Sequence, residues 1–134
     1  MSRSVHVLHT KDTLDHAEWM FKQHHVRHLP VMKAEKLVGM LSLTDLQRLS
    51  FADNFSELNE GEATVDVAVY NMIGLAQVMT RNVETVSPET SIKEVAKILA
   101  NREYHALPVT QNDKLVGIIT TTDLIKYLAE ISTD

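Results

Sequence analysis

The sequence predicts an α/β (α+β) fold made of two tandem β-α-β-β-α repeats packed with pseudo-twofold symmetry. Three observations lead there. The 134-residue chain repeats itself at an offset of 78 residues; each copy alternates short β-type runs with helical spacing; and each copy, at roughly 50 residues, is too small to bury a sheet alone.

The offset holds from residue 1 through 46 without a gap. It pairs Met1-Ser2-Arg3-Ser4-Val5 with Met79-Thr80-Arg81-Asn82-Val83, and Leu29-Pro30-Val31 with Leu107-Pro108-Val109. It also pairs Lys36-Leu37-Val38-Gly39 with Lys114-Leu115-Val116-Gly117, and Thr44-Asp45-Leu46 with Thr122-Asp123-Leu124. Two copies are too few for a solenoid, so a pseudo-symmetric pair is the natural reading.

The first element of each copy is a short β-type run, Val5-His6-Val7-Leu8 and Val83-Glu84-Thr85-Val86. Polar residues stop it, His9-Thr10-Lys11-Asp12 in one copy and Ser87-Pro88-Glu89-Thr90 in the other. A helix follows, with Leu14, Ala17, Met20 and Phe21, or Ile92, Val95, Ala96, Ile98 and Leu99, at helical intervals. The next strands, Val26–Val31 and Tyr104–Val109, contain a proline that places that point at an edge or exit. Polar turns, Lys33-Ala34-Glu35-Lys36 and Gln111-Asn112-Asp113-Lys114, lead into a third strand and a last helix, written LVGMLSLTDL and LVGIITTTDL.

Between the copies the character changes. No Lys or Arg occurs between Arg48 and Arg81, while Asp53, Glu57, Glu60, Glu62 and Asp66 cluster there. From Val65, residues Val69, Met72, Ala76 and Met79 recur at helical spacing, which predicts a helix over 65–79 that Gly74 weakens by up to ~1 kcal/mol relative to alanine. The organisation is therefore repeat 1 over 1–50, an acidic connection over 51–64, and repeat 2 with its leading helix over 65–134.

Composition narrows the function. With 13 Lys+Arg against 18 Asp+Glu, the net charge of −5 disfavours nucleic acid as the main partner, which would call for a basic face. Cysteine is absent, removing disulfides, thiolate metal sites and cysteine nucleophiles. No apolar run reaches the roughly 20 residues of a membrane helix, and the first residues lack a signal-peptide core, so a cytoplasmic protein without membrane contact is expected. No P-loop, His-Glu-x-x-His or nucleophile-base set is present, so no catalysis is expected. Trp19, Met20, Met32, Met40, Met72 and Met79 sit among apolar positions and are expected in the core.

The stretches RHLPVMKAEKLVGMLSLTDL and YHALPVTQNDKLVGIITTTDL resemble the CBS domain, and the tandem resembles a CBS pair, or Bateman module. The chain is similar to stand-alone bacterial CBS-pair proteins, including acetoin-utilisation-type ones. The resemblance implies a regulatory module binding adenine nucleotides (AMP, ADP, ATP) or S-adenosylmethionine in clefts between the copies. It implies no required cofactor, a homodimer, and an unidentified target protein. Carried over residue by residue, Asp45 and Asp123 would hold ribose hydroxyls, with Ser42 and Thr120 contacting ribose or phosphate. Thr44 and Thr122 would be nearby hydroxyl donors, and Arg27, His28 and His105 would reach phosphate. Ala106 stands where the first copy has His28, so the two clefts would be unequal.

The residue chemistry agrees with that implication. A carboxylate can accept two hydrogen bonds from a cis-diol, and a helix N-terminus favours a phosphate. The same residues also spell capping boxes, Ser42-x-x-Asp45 and Thr120-x-x-Asp123, which would stabilise the helix starts without any ligand. A ligand-free structural or dimerisation module is thus the alternative. A histidine-based metal or pH sensor is a third reading, because six of the seven histidines (His6, His9, His16, His24, His25, His28) fall in the first 28 residues; their spacing argues against a shared metal site.

Overall fold

A computed structural model describes residues 5–48 and 74–132. The acidic connection over 51–64, the 65–73 part of the expected helix, and Met72 lie outside the described residues. The chain divides into two compact units, one of residues 6–82 and one of residues 83–134 together with residues 1–5.

In the first unit the order is β1 (Leu8–His9), α1 (Leu14–His24), β2 (His28–Lys33), β3 (Lys36–Ser42), α2 (residues 43–48) and α3 (Leu75–Val78). The sheet order is β1-β2-β3, with β1 parallel and β3 antiparallel to β2. Thr80 extends it on the far side of β3, exchanging two backbone hydrogen bonds with Met40 at 3.0 and 2.8 Å. In the second unit α4 (Ile92–Ala100) precedes the hairpin of β4 (Ala106–Gln111) and β5 (Lys114–Thr120), followed by α5 (Thr121–Ile131).

The 78-residue offset governs the hydrogen-bond register as well as the sequence. Val31 faces Gly39 and Val109 faces Gly117, and the ladder slips at Val31/Met32 and again at Val109/Thr110. The helix caps repeat too: Thr13 accepts from the His16 N–H and Ser91 from the Glu94 N–H, both at 3.1 Å.

The first β-type runs are shorter than expected, and proline explains it. Leu8 pairs with Val31, but the next rung upstream would require an N–H from Pro30, which has none, so Val5–Val7 do not join the sheet. In the second unit Val86 keeps a single rung, donating to the Pro108 carbonyl at 3.1 Å and accepting from Thr110 at 2.8 Å. Pro108 blocks the rung before it. Pro88 stands where Thr10 donates to the Met32 carbonyl and blocks the rung after it. The prolines therefore sit inside β2 and β4, at the points where pairing with the first run begins.

The cores also match. Val86, Val95, Leu99, Leu107 and Val109 are the counterparts, by the same offset, of Leu8, Ala17, Phe21, Leu29 and Val31. Each such side chain contributes roughly 1.5–3 kcal/mol when taken fully from water. Two placements differ from the sequence reading. Leu75, grouped with the second repeat by chain order, is fully buried in the first unit's core, because the 75–80 segment closes that unit's sheet edge. Trp19 is 53% exposed on the outer face of α1. Met20, Met32 and Met40 are buried as expected, and Met79 packs partly against the first core. Among the described residues no helix is long and apolar enough to cross a membrane.

Candidate functional site

In both units the last strand runs directly into the last helix, and the junction carries the candidate residues. Ser42 Oγ accepts from the Asp45 N–H at 3.0 Å while the Ser42 N–H donates to Asp45 Oδ2 at 3.3 Å. Thr120 Oγ1 accepts from the Asp123 N–H at 3.1 Å, and the Thr120 N–H donates to Asp123 Oδ2 at 2.9 Å. Both capping boxes are formed, satisfying amide donors that a helix start leaves open.

Each carboxylate spends one oxygen on the cap. Asp45 Oδ1 stands 4.0 Å from the Arg48 guanidinium, an exposed pair of little energetic weight. Asp123 Oδ1 takes no hydrogen bond among the described residues. An ionised carboxyl has about four acceptor positions, so capping and the reception of a ligand diol are compatible on the same group.

A second contact brings the remaining candidates to these junctions. The Leu43 N–H donates to the Arg27 carbonyl at 2.8 Å, and the Thr121 N–H donates to the His105 carbonyl at 2.9 Å. His28 is the register partner of Ser42, as Ala106 is of Thr120. The first unit thus gathers Arg27, His28, Ser42, Thr44 and Asp45 where β2 begins and β3 ends; the second gathers His105, Thr120, Thr122 and Asp123 at the matching place. Arg27, His105, Thr44 and Thr122 are exposed, while Ser42, Asp45, Thr120, Asp123 and His28 are half-buried. The pattern suits a site with neutral and anionic groups at its floor and cations at its rim.

The two junctions are not identical. Thr121 Oγ1 also donates to the His105 carbonyl, at 3.3 Å, whereas Leu43 packs its side chain against the first core. Just upstream, the Tyr104 hydroxyl donates to Glu84 Oε2, and Arg102 Nε approaches the same oxygen at 3.1 Å. The Tyr104 hydrogen bond holds the Glu84 carboxyl below the usual carboxylate range against an opposing push from burial, with help from Arg102. Burial, reinforced by Glu84, raises the Tyr104 phenol above its ordinary value.

Sequence reasoning missed this cluster, yet a signal existed. Glu84, Arg102 and Tyr104 lie 78 residues after His6, His24 and Val26. In the first unit the His6 and His24 rings stack at 3.6 Å with 12° between planes, and Trp19 meets His24 edge-on at 6.1 Å. One pair of positions ties the start of each repeat to its first helix by two different chemistries. Among the described residues no group of three His, Cys, Asp or Glu is placed to hold a metal ion.

Comparison with known proteins gives the architecture its relatives. The family model described as the CBS domain matches residues 1–51 and 75–130. The protein MJ1225 of Methanocaldococcus jannaschii is 32% identical over 105 residues, covering 77% of this chain and 36% of its own length. Its crystal structure superposes with a TM-score of 0.80 at 28% identity, covering 96% of this chain and 45% of that one. A candidate acetoin-utilization protein, AcuB, of Vibrio cholerae superposes with a TM-score of 0.73 at 29% identity over 100% of this chain and 94% of its own. Two further structures share the fold at lower identity: CBSX2 in complex with AMP (24%, TM-score 0.77) and the CBS pair of MJ0100 in complex with 5′-methylthioadenosine and S-adenosyl-L-methionine (21%, TM-score 0.78). The chain spans about a third or less of several curated relatives, 36% of MJ1225 and 22% of an inosine-5′-monophosphate dehydrogenase of Korarchaeum cryptofilum.

Proposed function

This chain belongs to the CBS-domain family, and from that membership we propose that it is a non-catalytic regulatory module binding an adenosyl ligand at the strand–helix junctions of its two repeats. The ligand class is AMP, ADP, ATP or S-adenosylmethionine. The observation that carries the proposal is the pairing, in each unit, of a half-buried Ser/Thr–Asp set with a segment carrying an Arg or His side chain and held to it by a backbone hydrogen bond, Leu43 to Arg27 and Thr121 to His105. Asp45 and Asp123 receive the ribose diol, Ser42 and Thr120 flank it with Thr44 and Thr122, and Arg27, His28 and His105 face the phosphate. That two proteins of the same fold are complexes, one with AMP and one with 5′-methylthioadenosine and S-adenosyl-L-methionine, supports this chemistry.

Binding regulates only if the ligand prefers one arrangement of the repeats over another, shifting that equilibrium by its difference in affinity. The module acts in the cytoplasm as a homodimer and passes its bound state to a target protein. Calorimetric titration of the folded chain with AMP, ADP, ATP and S-adenosylmethionine is the test. Saturable binding of at least one is expected, and silence with all four overturns the proposal. One observation favours a second reading, a ligand-free structural or dimerisation module: each Ser/Thr–Asp pair forms a complete capping box, a helix-starting role sufficient in itself.

A further inference from the structure

We propose that Thr121 is a positioning residue that makes the second repeat's half-site the tighter of the two for AMP. The inference rests on the nucleotide-binding reading above.

Three differences between equivalent positions point the same way. The His105 carbonyl accepts two hydrogen bonds from Thr121, at 2.9 Å from the N–H and 3.3 Å from Oγ1, where the Arg27 carbonyl accepts one from Leu43, at 2.8 Å. The residue before His105 is also anchored, because Tyr104 donates to Glu84 while Arg102 holds the same carboxylate at 3.1 Å; its counterpart Val26 has no polar side-chain group to anchor. The capping carboxylate is held more closely too, with the Thr120 N–H at 2.9 Å from Asp123 against 3.3 Å for Ser42 and Asp45.

A half-site whose parts are already fixed loses less conformational freedom when a ligand arrives, and that saving appears as affinity. The hydroxyl of Thr121 adds a side-chain tie between the His105 segment and the helix start, a hydrogen bond that leucine at the equivalent position 43 cannot make. The first half-site carries the permanent cation Arg27 where the second has His105, so fixed geometry and charge oppose each other across the two repeats. The proposal is that geometry decides for a ligand with one phosphate.

The test is calorimetric titration of the full chain with AMP, in the wild type and in Thr121→Val, Thr121→Ser, Asp123→Ala and Asp45→Ala, with thermal midpoints recorded for each. Thr121→Val is expected to weaken the tighter event about three- to tenfold, the worth of one net hydrogen bond, and Thr121→Ser to restore it. Asp123→Ala should strike the tighter event and Asp45→Ala the weaker one. Valine fills the same volume, so a purely structural role of the hydroxyl would lower the midpoint in Thr121→Val, return it in Thr121→Ser, and leave AMP affinity unchanged in both. A tighter event weakened by Asp45→Ala instead, or equal affinity in Thr121→Val and wild type, or a serine form as weak as the valine form, overturns the inference while leaving nucleotide binding intact. A wild-type chain that binds no AMP overturns it together with the reading on which it rests.

Discussion

Replacing Asp123 by alanine separates the two uses of its carboxyl group. In the folded chain it accepts the Thr120 N–H at 2.9 Å and places a negative charge in the first turn of α5. Losing the cap bond costs about 1 kcal/mol, and losing the charge at the positive end of the helix a further 0.3–1 kcal/mol or so. The half-buried Thr120 N–H can turn to water, which keeps the total to about 1–1.5 kcal/mol. A domain with the usual stability of about 5–15 kcal/mol stays almost wholly folded after that loss. Capping alone therefore leaves the affinity of the folded population for AMP unchanged. If the same carboxylate receives two ribose hydroxyls, two charge-assisted hydrogen bonds vanish, and affinity falls by about 2–3 kcal/mol, or roughly 30- to 150-fold. Asp45→Ala should cost less stability, since the Ser42 N–H lies 3.3 Å from its carboxylate. Urea denaturation gives the first quantity and calorimetric titration with AMP the second. An Asp123→Ala chain that is less stable yet binds AMP within a factor of about two of wild type would refute the ribose role and leave only the cap.

Three further outcomes follow from the packing. A Cβ at Gly39 would collide with Met79 Sδ and lie 3.0 Å from the Thr80 carbonyl, so Gly39→Ala should cost about 1–3 kcal/mol and speed exchange of the Met40 and Thr80 amides. The cost should shrink when Met79→Ala accompanies it, and an unchanged midpoint would contradict the packing. Ala34 sits at φ 54°, where its counterpart Asn112 sits at 53°, so Ala34→Asn should raise stability by about 0.5–1 kcal/mol in urea denaturation; a neutral or negative change would count against strain at that turn. Glu84 is held below its ordinary value in the folded chain, so its contribution is full above that value and is lost as pH falls through the lowered one. Glu84→Gln should therefore lower the midpoint at neutral pH and lose that deficit in acid, and an equal deficit at about pH 7 and about pH 3 would contradict the assignment.

The repeat made most of the fold legible. One offset carried the strand register, the slip in each ladder, both helix caps and the five shared core positions, because each depends on local chemistry that duplicates with the sequence. What escaped depends on a partner elsewhere in the chain. Val5 to Val7 have strand composition, but whether they pair is decided at Pro30, more than twenty residues away. Trp19 lies on an apolar-looking stretch of α1, yet the buried stripe is Leu14, Ala17, Met20 and Phe21, and a residue between its members faces outward. Leu75 reads as the start of the second repeat, and only the backbone exchange of Thr80 with Met40 reveals that its segment completes the first.

The candidate residues were legible for a related reason, and so was their inequality at Ala106 and His28; how firmly each set is held was not. Gly, Ser/Thr and Asp at fixed spacing before a helix are set by the cap itself, so the same residues that start the helix bring the carboxylate to the strand end. The choice between cap and ligand cannot be made from spacing when one group is able to serve both. Arg27 and His105 occupy equivalent positions, but the sequence does not say how firmly each is held; that depends on whether the next helix opens with Leu43 or Thr121, and on whether Val26 or Tyr104 comes before. Duplication sets where the candidate residues lie. The unmatched residues around them are Thr121 and the Glu84–Tyr104–Arg102 set on one side, where Tyr104 also packs against the second core, and Arg27 and His28 on the other; the capping boxes are built without them. Under the proposed nucleotide-binding reading, two identical half-sites would respond to a ligand identically, whereas one held more firmly and one bearing Arg27 would sort ligands by the number of phosphates they carry.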